Sequence, residues 1–177
     1  IAAIFLLPAC QHDPREPVAL NIAEAFVMEA RAYSEPIKDV GPGFHWDELG
    51  EFTPAKPTKQ YSARECRGFL PRSPVVVGDV WELEAESIIE FLRQFHPAAT
   101  FDVRDNGDSK GAYASLRALG DRWADVVFRL HAMFVLPEGY LTPSQFTGRL
   151  ILDRQQGKIA YFRLYVPRAT INFDANR

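Results

Sequence analysis

Trp123-Ala124-Asp125-Val126-Val127-Phe128-Arg129-Leu130-His131-Ala132-Met133-Phe134-Val135-Leu136 is the stretch that decides how this chain folds. Within it Phe128, Leu130, Ala132 and Phe134 alternate with Arg129, His131, Met133 and Val135. Successive side chains of a strand point to opposite faces, so this period of two predicts one long strand over 123–136 with one dry face. The same alternation continues on both sides. Residues Gly111 to Leu119 read as the preceding strand, turned by Gly120-Asp121. Pro137-Glu138-Gly139 opens a longer loop to Ser144. Strands follow at Gln145 to Asp153 and Lys158 to Val166, joined by Arg154-Gln155-Gln156-Gly157. Upstream, Phe101-Asp102-Val103 leads into Asn106-Gly107, and Asn-Gly between strands predicts a hairpin to the strand at 111.

A helix is expected from about Glu84. Ile88, Phe91 or Leu92, and Phe95 fall on one side of it, Glu84 and Glu86 suit its positive end, and Pro97 stops it. The expected fold class is therefore α+β: an antiparallel meander of about five strands packed with one or two helices. It is preceded by a proline-rich extended segment, because Pro36, Pro42, Pro54, Pro57, Pro71 and Pro74 crowd residues 36–74. Before that, Leu20, Ala23, Phe26 (or Val27) and Ala30 recur at three- and four-residue steps. With Asp13 as N-cap and Pro14 at the first helical position, they predict an N-terminal helix within 11–35. The α+β domain is expected over 75–177.

Sorting the strands by parity gathers Arg117, Arg129, His131, Gln145, Thr147, Arg149 and Arg163 on one face. The opposite face collects Phe128, Leu130, Phe146, Gly148, Leu150, Leu152, Ala160, Phe162, Leu164 and Val166, with Ile159 and Tyr161 on the polar side. Clustered guanidiniums beside an imidazole suit a carboxylate, a phosphate or an acidic partner segment, held by bidentate bonds. Alternating Arg on an antiparallel sheet is also what a solvated face looks like, and both readings stand at this point.

Composition narrows the function classes. The chain has 177 residues and a formal charge of −3, with no basic stripe of the kind that marks a general nucleic-acid binder. No Cys-x-x-Cys, zinc spacing, P-loop, G-x-G-x-x-G or G-x-S-x-G is present, so no metal or cofactor is expected. The apolar run Ile1 to Leu7 is too short to span a bilayer. With Pro8-Ala9-Cys10 it has the form of a truncated bacterial lipobox over 1–10, so lipidation of Cys10 and anchoring to a bacterial membrane, facing the periplasm or the exterior, are expected. Cys66 lies between Arg64 and Arg67, which favours a low thiol pKa and makes it a weak redox candidate. A buried structural cysteine or a Cys10–Cys66 bridge accounts for it as well.

Phe128 to Phe134, Thr142-Pro143-Ser144-Gln145-Phe146-Thr147-Gly148-Arg149-Leu150-Ile151-Leu152 and Phe162-Arg163-Leu164-Tyr165-Val166-Pro167 together resemble the signature block of the selenoprotein N family, in the same order. Phe95-His96-Pro97 and Gly111 to Leu116 are similar too, and the resemblance covers roughly 79–174. It implies thiol–disulfide chemistry run by a Cys–selenocysteine or Cys–Cys pair. The chain has no such pair, so the resemblance implies a non-catalytic support domain whose redox pair lies beyond Arg177 or belongs to a thioredoxin-like partner. The alternative expectation is a lipid-anchored binding module that holds an anionic ligand on the Arg/His face.

Overall fold

The computed structural model describes residues 15–34, 54–101, 111–136, 139–141 and 145–167. Cys10, the Asn106-Gly107 turn and the first part of the proline-rich segment lie outside the described residues. In chain order the elements are β1 (Val27–Arg31), β2 (Thr58–Ser62), α1 (Ala63–Arg67), β3 (Val80–Glu82), α2 (Ala85–Arg93), β4 (Ala99–Phe101), β5 (Ala112–Leu119), β6 (Trp123–Leu130), β7 (Ala132–Leu136), β8 (Gly139–Leu141), β9 (Phe146–Asp153) and β10 (Lys158–Tyr165). The main sheet is antiparallel with the order β10-β9-β6-β5-β3. A second sheet has the order β4-β7-β8, and β1 and β2 pair as a third. The α+β expectation holds.

The inner face of the main sheet is dry because alternate residues of every long strand are apolar. Leu116, Val126, Leu130, Leu150 and Leu152 are fully buried there. Phe69, just after α1, and Phe91 of α2 press onto this face. Phe69 meets Phe128 at 4.7 Å and Phe162 at 5.1 Å, and meets Phe91 edge-on at 4.9 Å. Tyr61 of β2 stacks flat on the far side of Phe91 at 3.8 Å. Each such pair adds about 0.5–1.5 kcal/mol beyond the area that it buries.

Two glycines let the layers approach. A Cβ on Gly148 would overlap Cε2 and Cζ of the Phe128 ring, which lies across it from the neighbouring strand. A Cβ on Gly68 would meet Ser87 Cβ at 2.5 Å, so only glycine lets the end of α1 lie against the start of α2. The α1 helix itself is one turn long and rests on a capping box: Glu65 N–H donates to Ser62 Oγ at 3.4 Å, and Ser62 N–H donates to Glu65 Oε2 at 2.7 Å.

Polar groups inside the core are tied. Tyr61 Oη donates to Gln94 Oε1 at 2.8 Å, and Gln94 Nε2 donates to the carbonyls of Ala30 at 3.1 Å and Lys56 at 3.0 Å. One buried amide thus joins the end of α2 to β1, to β2 and to the segment before β2. Burial pushes the Tyr61 hydroxyl pKa upward, and the nearby Glu65 and Glu90 carboxylates add to it. At the β9–β10 turn the fully buried Asp153 accepts from Arg122 at 2.9 and 3.0 Å and from the backbone N–H groups of Gln155 and Gln156 at 3.1 Å. Those bonds, led by the one from Arg122, hold its carboxyl pKa below the usual range.

Five expectations are corrected. The described residues 15–34 contain no helix; Val27–Arg31 is a strand paired with Thr58–Ser62. A second period explains why. Leu20 and Ile22 are buried and Phe26, Met28 and Ala30 half-buried, while Asn21, Val27, Glu29 and Arg31 are exposed, so the segment also alternates, and burial against the core decides. Within the proline-rich segment, Thr58–Arg67 forms β2 and α1 rather than irregular chain. The expected long strand breaks at His131, whose N–H donates to Gly111 O at 3.0 Å, and β7 passes into the second sheet. β4 pairs with β7, not with β5, so Phe101 is not the hairpin partner expected for the strand at 111. Finally a bulge between Ile159 and Tyr161 turns Ile159 into the core and leaves Ala160 exposed, reversing the parity expected for those two residues.

Gly148→Ala is expected to lower unfolding stability by about 1–3 kcal/mol, through overpacking against a ring with no room to move. In a Phe128→Leu background the same change is expected to cost clearly less, a non-additivity read from denaturant unfolding of the four variants. Equal costs in both backgrounds would show that the ring is not what requires glycine.

Candidate functional site on the outer face of the main sheet

Strand register places the outward side chains in rows. Glu82, Tyr113, Arg129, Thr147 and Tyr165 run side by side across all five strands. The next row is Val80, Ser115, Val127, Arg149 and Arg163. Beyond it, Asp125, Ile151 and Tyr161 lie together, with Arg117 in the β5 bulge beside Asp125. His131 and Gln145 continue this face past the end of β6 and before the start of β9. Arg117, Arg129, Thr147, Arg149 and Arg163 therefore come from the same side of neighbouring strands, while His131 and Gln145 lie just outside the strands.

Their partners divide six of them, all but Thr147, into three groups. Asp125, which the parity argument also places outward, is the centre of the first group. Arg149 grips it through both nitrogens, Nε to Oδ1 and Nη2 to Oδ2, each at 3.0 Å. Arg117 donates to the same carboxylate from the other side, Nε at 2.9 Å and Nη2 at short range. Partial burial works to raise the Asp125 pKa, but the bonds from Arg149 and Arg117 outweigh it and the carboxyl lies below the usual aspartate range. The bond to Asp125 likewise raises the Arg149 pKa. The second group is His131 and Gln145, whose Nε2 atoms stand 3.0 Å apart. When the amide nitrogen donates, the ring accepts through an Nε2 that carries no hydrogen.

The third group is Arg129 and Arg163, both exposed. Neither makes an ion pair among the described residues. The Arg163 guanidinium lies 4.3 Å over the ring of Tyr165, a cation–π contact. Between and around them stand Tyr113, Tyr161 and Tyr165, each about two-fifths exposed at 41%, 42% and 37%. Arg and Tyr together, with apolar Val80 also outward, are the composition that protein interfaces favour at their centres. The anionic-ligand reading keeps Arg129 and Arg163 and loses Arg117 and Arg149, which Asp125 already occupies. Asp125 and the tyrosines were legible by the same alternation that selected the arginines; charge sign alone had picked out the cations.

Cys66 is elsewhere, fully buried in α1 beneath the aromatic cluster. Burial pushes its thiol up to about 12, with the Glu65 carboxylate adding to the rise. Arg64 and Arg67 do not reverse that. This environment is the opposite of what a nucleophilic thiolate needs. Among the described residues no group of His, Cys, Asp or Glu is arranged to hold a metal ion.

The Asp125 clamp has a pH signature. Its folded-state pKa is depressed, so its contribution is present above the ordinary aspartate value of about 3.9 and is lost as pH falls through the folded value. Asp125→Asn is expected to lower Tm by about 2–4 °C at neutral pH. The gap between variant and wild type should close in acid, below about pH 4, as the native carboxylate protonates. A gap that stays constant down to pH 2 would show that the two arginines do not stabilise the carboxylate.

No family model matches the chain, and no solved structure matches it. The chain is 32% identical to mouse (Mus musculus) selenoprotein N over 152 residues, 69% of this chain and 27% of that protein. It is 30% identical to the zebrafish (Danio rerio) selenoprotein N over 152 residues, covering 68% and 27%. For human (Homo sapiens) selenoprotein N the identity is 28% over 150 residues, covering 68% and 25%. The chain thus spans about a quarter of the length of these curated relatives. At this identity and coverage, the chain belongs to a selenoprotein N-like family.

Proposed function

We propose that this chain is the non-catalytic support domain of a selenoprotein N-like thiol–disulfide oxidoreductase. Its redox pair is supplied by another part of the protein or by a thioredoxin-like partner. The observation that carries this reading is Cys66: the cysteine of the described residues is sealed in the core with its thiol pushed up to about 12. A lone thiol in that state does not run a dithiol cycle, which needs a second sulfur and an accessible thiolate. The outer face, with Arg129 and Arg163 among tyrosines, supports a docking role instead. The alternative reading, an anionic ligand held by Arg129 and Arg163, is favoured only by the lack of carboxylate partners for those two.

The purified chain is expected to reduce a protein disulfide such as insulin at the background rate of dithiothreitol, and Cys66→Ser to behave the same. Turnover above background that Cys66→Ser abolishes would sink the support reading.

We also propose that Cys10 is lipidated and anchors the chain to a bacterial membrane, facing the periplasm or the exterior. The lipobox Leu7-Pro8-Ala9-Cys10 supports this. Expressed from its native gene in a bacterial host fed labelled palmitate, the protein is expected to take up label, and Cys10→Ala to lose it. Equal labelling of both would rule the anchor out.

A further inference from the structure

β10 is the outer strand of the main sheet and pairs on one side only, with β9. Apart from that pairing, Lys158–Tyr165 makes no backbone hydrogen bond among the described residues. Alternate N–H and C=O groups along the other side form a ready template for one more strand. Proteins blunt such edges by keeping them short, by charged side chains (lysine above all), by proline, by inward charges or by bulges. β10 is eight residues long, holds no proline and turns no charge toward the core; its charges are Lys158 at the first end and Arg163 in the regular stretch. Its bulge at Ile159 and Tyr161 blunts the first end, and Tyr161–Tyr165 then keeps regular register with β9.

The side chains of this edge stop short of completion on both faces. On the inner face Phe162 and Leu164 remain half-open, although Leu150, opposite Phe162 on β9, is fully buried. On the outer face Arg163 stands directly across from Arg149. Like charges in that position repel. Arg149 is held by Asp125, whereas among the described residues Arg163 makes no ion pair and rests on the Tyr165 ring. A carboxylate on the far side of Arg163 offsets the repulsion. A second copy cannot supply it by pairing about Arg163, because that pairing sets Arg163 against its own counterpart.

We propose that the Tyr161–Tyr165 edge binds an extended acidic segment of a partner protein as an added strand. A carboxylate of that segment lies beside Arg163, and apolar side chains on its other face cover Phe162 and Leu164. Backbone bonds supply the attachment and the alternation supplies the choice of sequence. The site goes beyond the support role and stands without it.

The test is titration of the isotope-labelled chain with the peptide acetyl-Thr-Val-Thr-Val-Glu-Val-Thr-Val-Thr-amide, read by amide shifts. Shifts are expected to centre on Tyr161–Tyr165. The peptide with Lys in place of Glu should bind about tenfold more weakly, and Arg163→Glu should invert that preference. Backbone N-methylation of the peptide at alternate residues should abolish binding. Arg163→Gln, which removes charge without reversing it, should erase the preference and leave the fold intact by thermal unfolding. No binding, shifts centred elsewhere, or indifference to either the charge or the N-methyl groups would overturn the proposal. So would a concentration-dependent dimer through β10 in sedimentation, which would make the occupant a second copy.

Discussion

The Phe128 ring lying over Gly148 is the contact on which the rest of this structure depends. Two neighbouring strands meet there at a position where one side chain is absent and the other is large. The ring fills the space that a Cβ would take, and so lies low enough for Phe69, Phe162 and then Phe91 to pack above it. The α1–α2 corner is set at that height. The large buried apolar side chains thereby lie on one side of the sheet, and the other side carries the arginines, tyrosines and Asp125 beside Val80, Val127 and Ile151.

On that outer side electrostatics sorts residues that look equivalent in the sequence. Asp125 bridges Arg117 and Arg149 and is held by them in turn, one carboxylate between two guanidiniums. The pair of bonds from Arg149 is planar and bidentate, a geometry that lysine cannot reproduce. Arg163, one strand further out, is beyond Asp125's reach, and Arg129 is in a different row. The face is thus a carboxylate-bridged pair of arginines flanked by two further cations among aromatic rings.

Much of this was legible in the alternation of Phe128 to Phe134 and of Phe146 to Asp153, because a half-buried strand must segregate its residues by parity. The α2 helix was legible from the spacing of Ile88, Phe91 and Leu92. Three kinds of feature were not. The segment from Leu20 to Ala30 satisfies two periods at once, and only the partner strand at Thr58–Ser62 chooses between them. A bulge, as at Ile159–Tyr161, adds one residue without a mark of its own and reverses parity beyond it. The break at His131 leaves the alternation intact across Leu130 and Ala132, both fully buried, so nothing local marks the passage from one sheet to the next. As for the site, Arg117, Arg129, Thr147, Arg149 and Arg163 share the face as sorted, but which of them are held in ion pairs depends on Asp125, whose charge differs from theirs.

That unmarked break has a consequence for how the molecule comes apart. β6 lies between β5 and β9 in the main sheet, and β7 lies between β4 and β8 in the second. One run of backbone therefore serves as the interior strand of both, with a single residue between. Neither sheet can shed its middle strand without releasing tension on the other's, so the two are coupled as one cooperative foldon rather than two. The β1–β2 pair has no strand in that run. It is joined to the rest through Gln94, the Lys59–Glu90 ion pair, the Ser62 cap of α1 and the rings around Phe91.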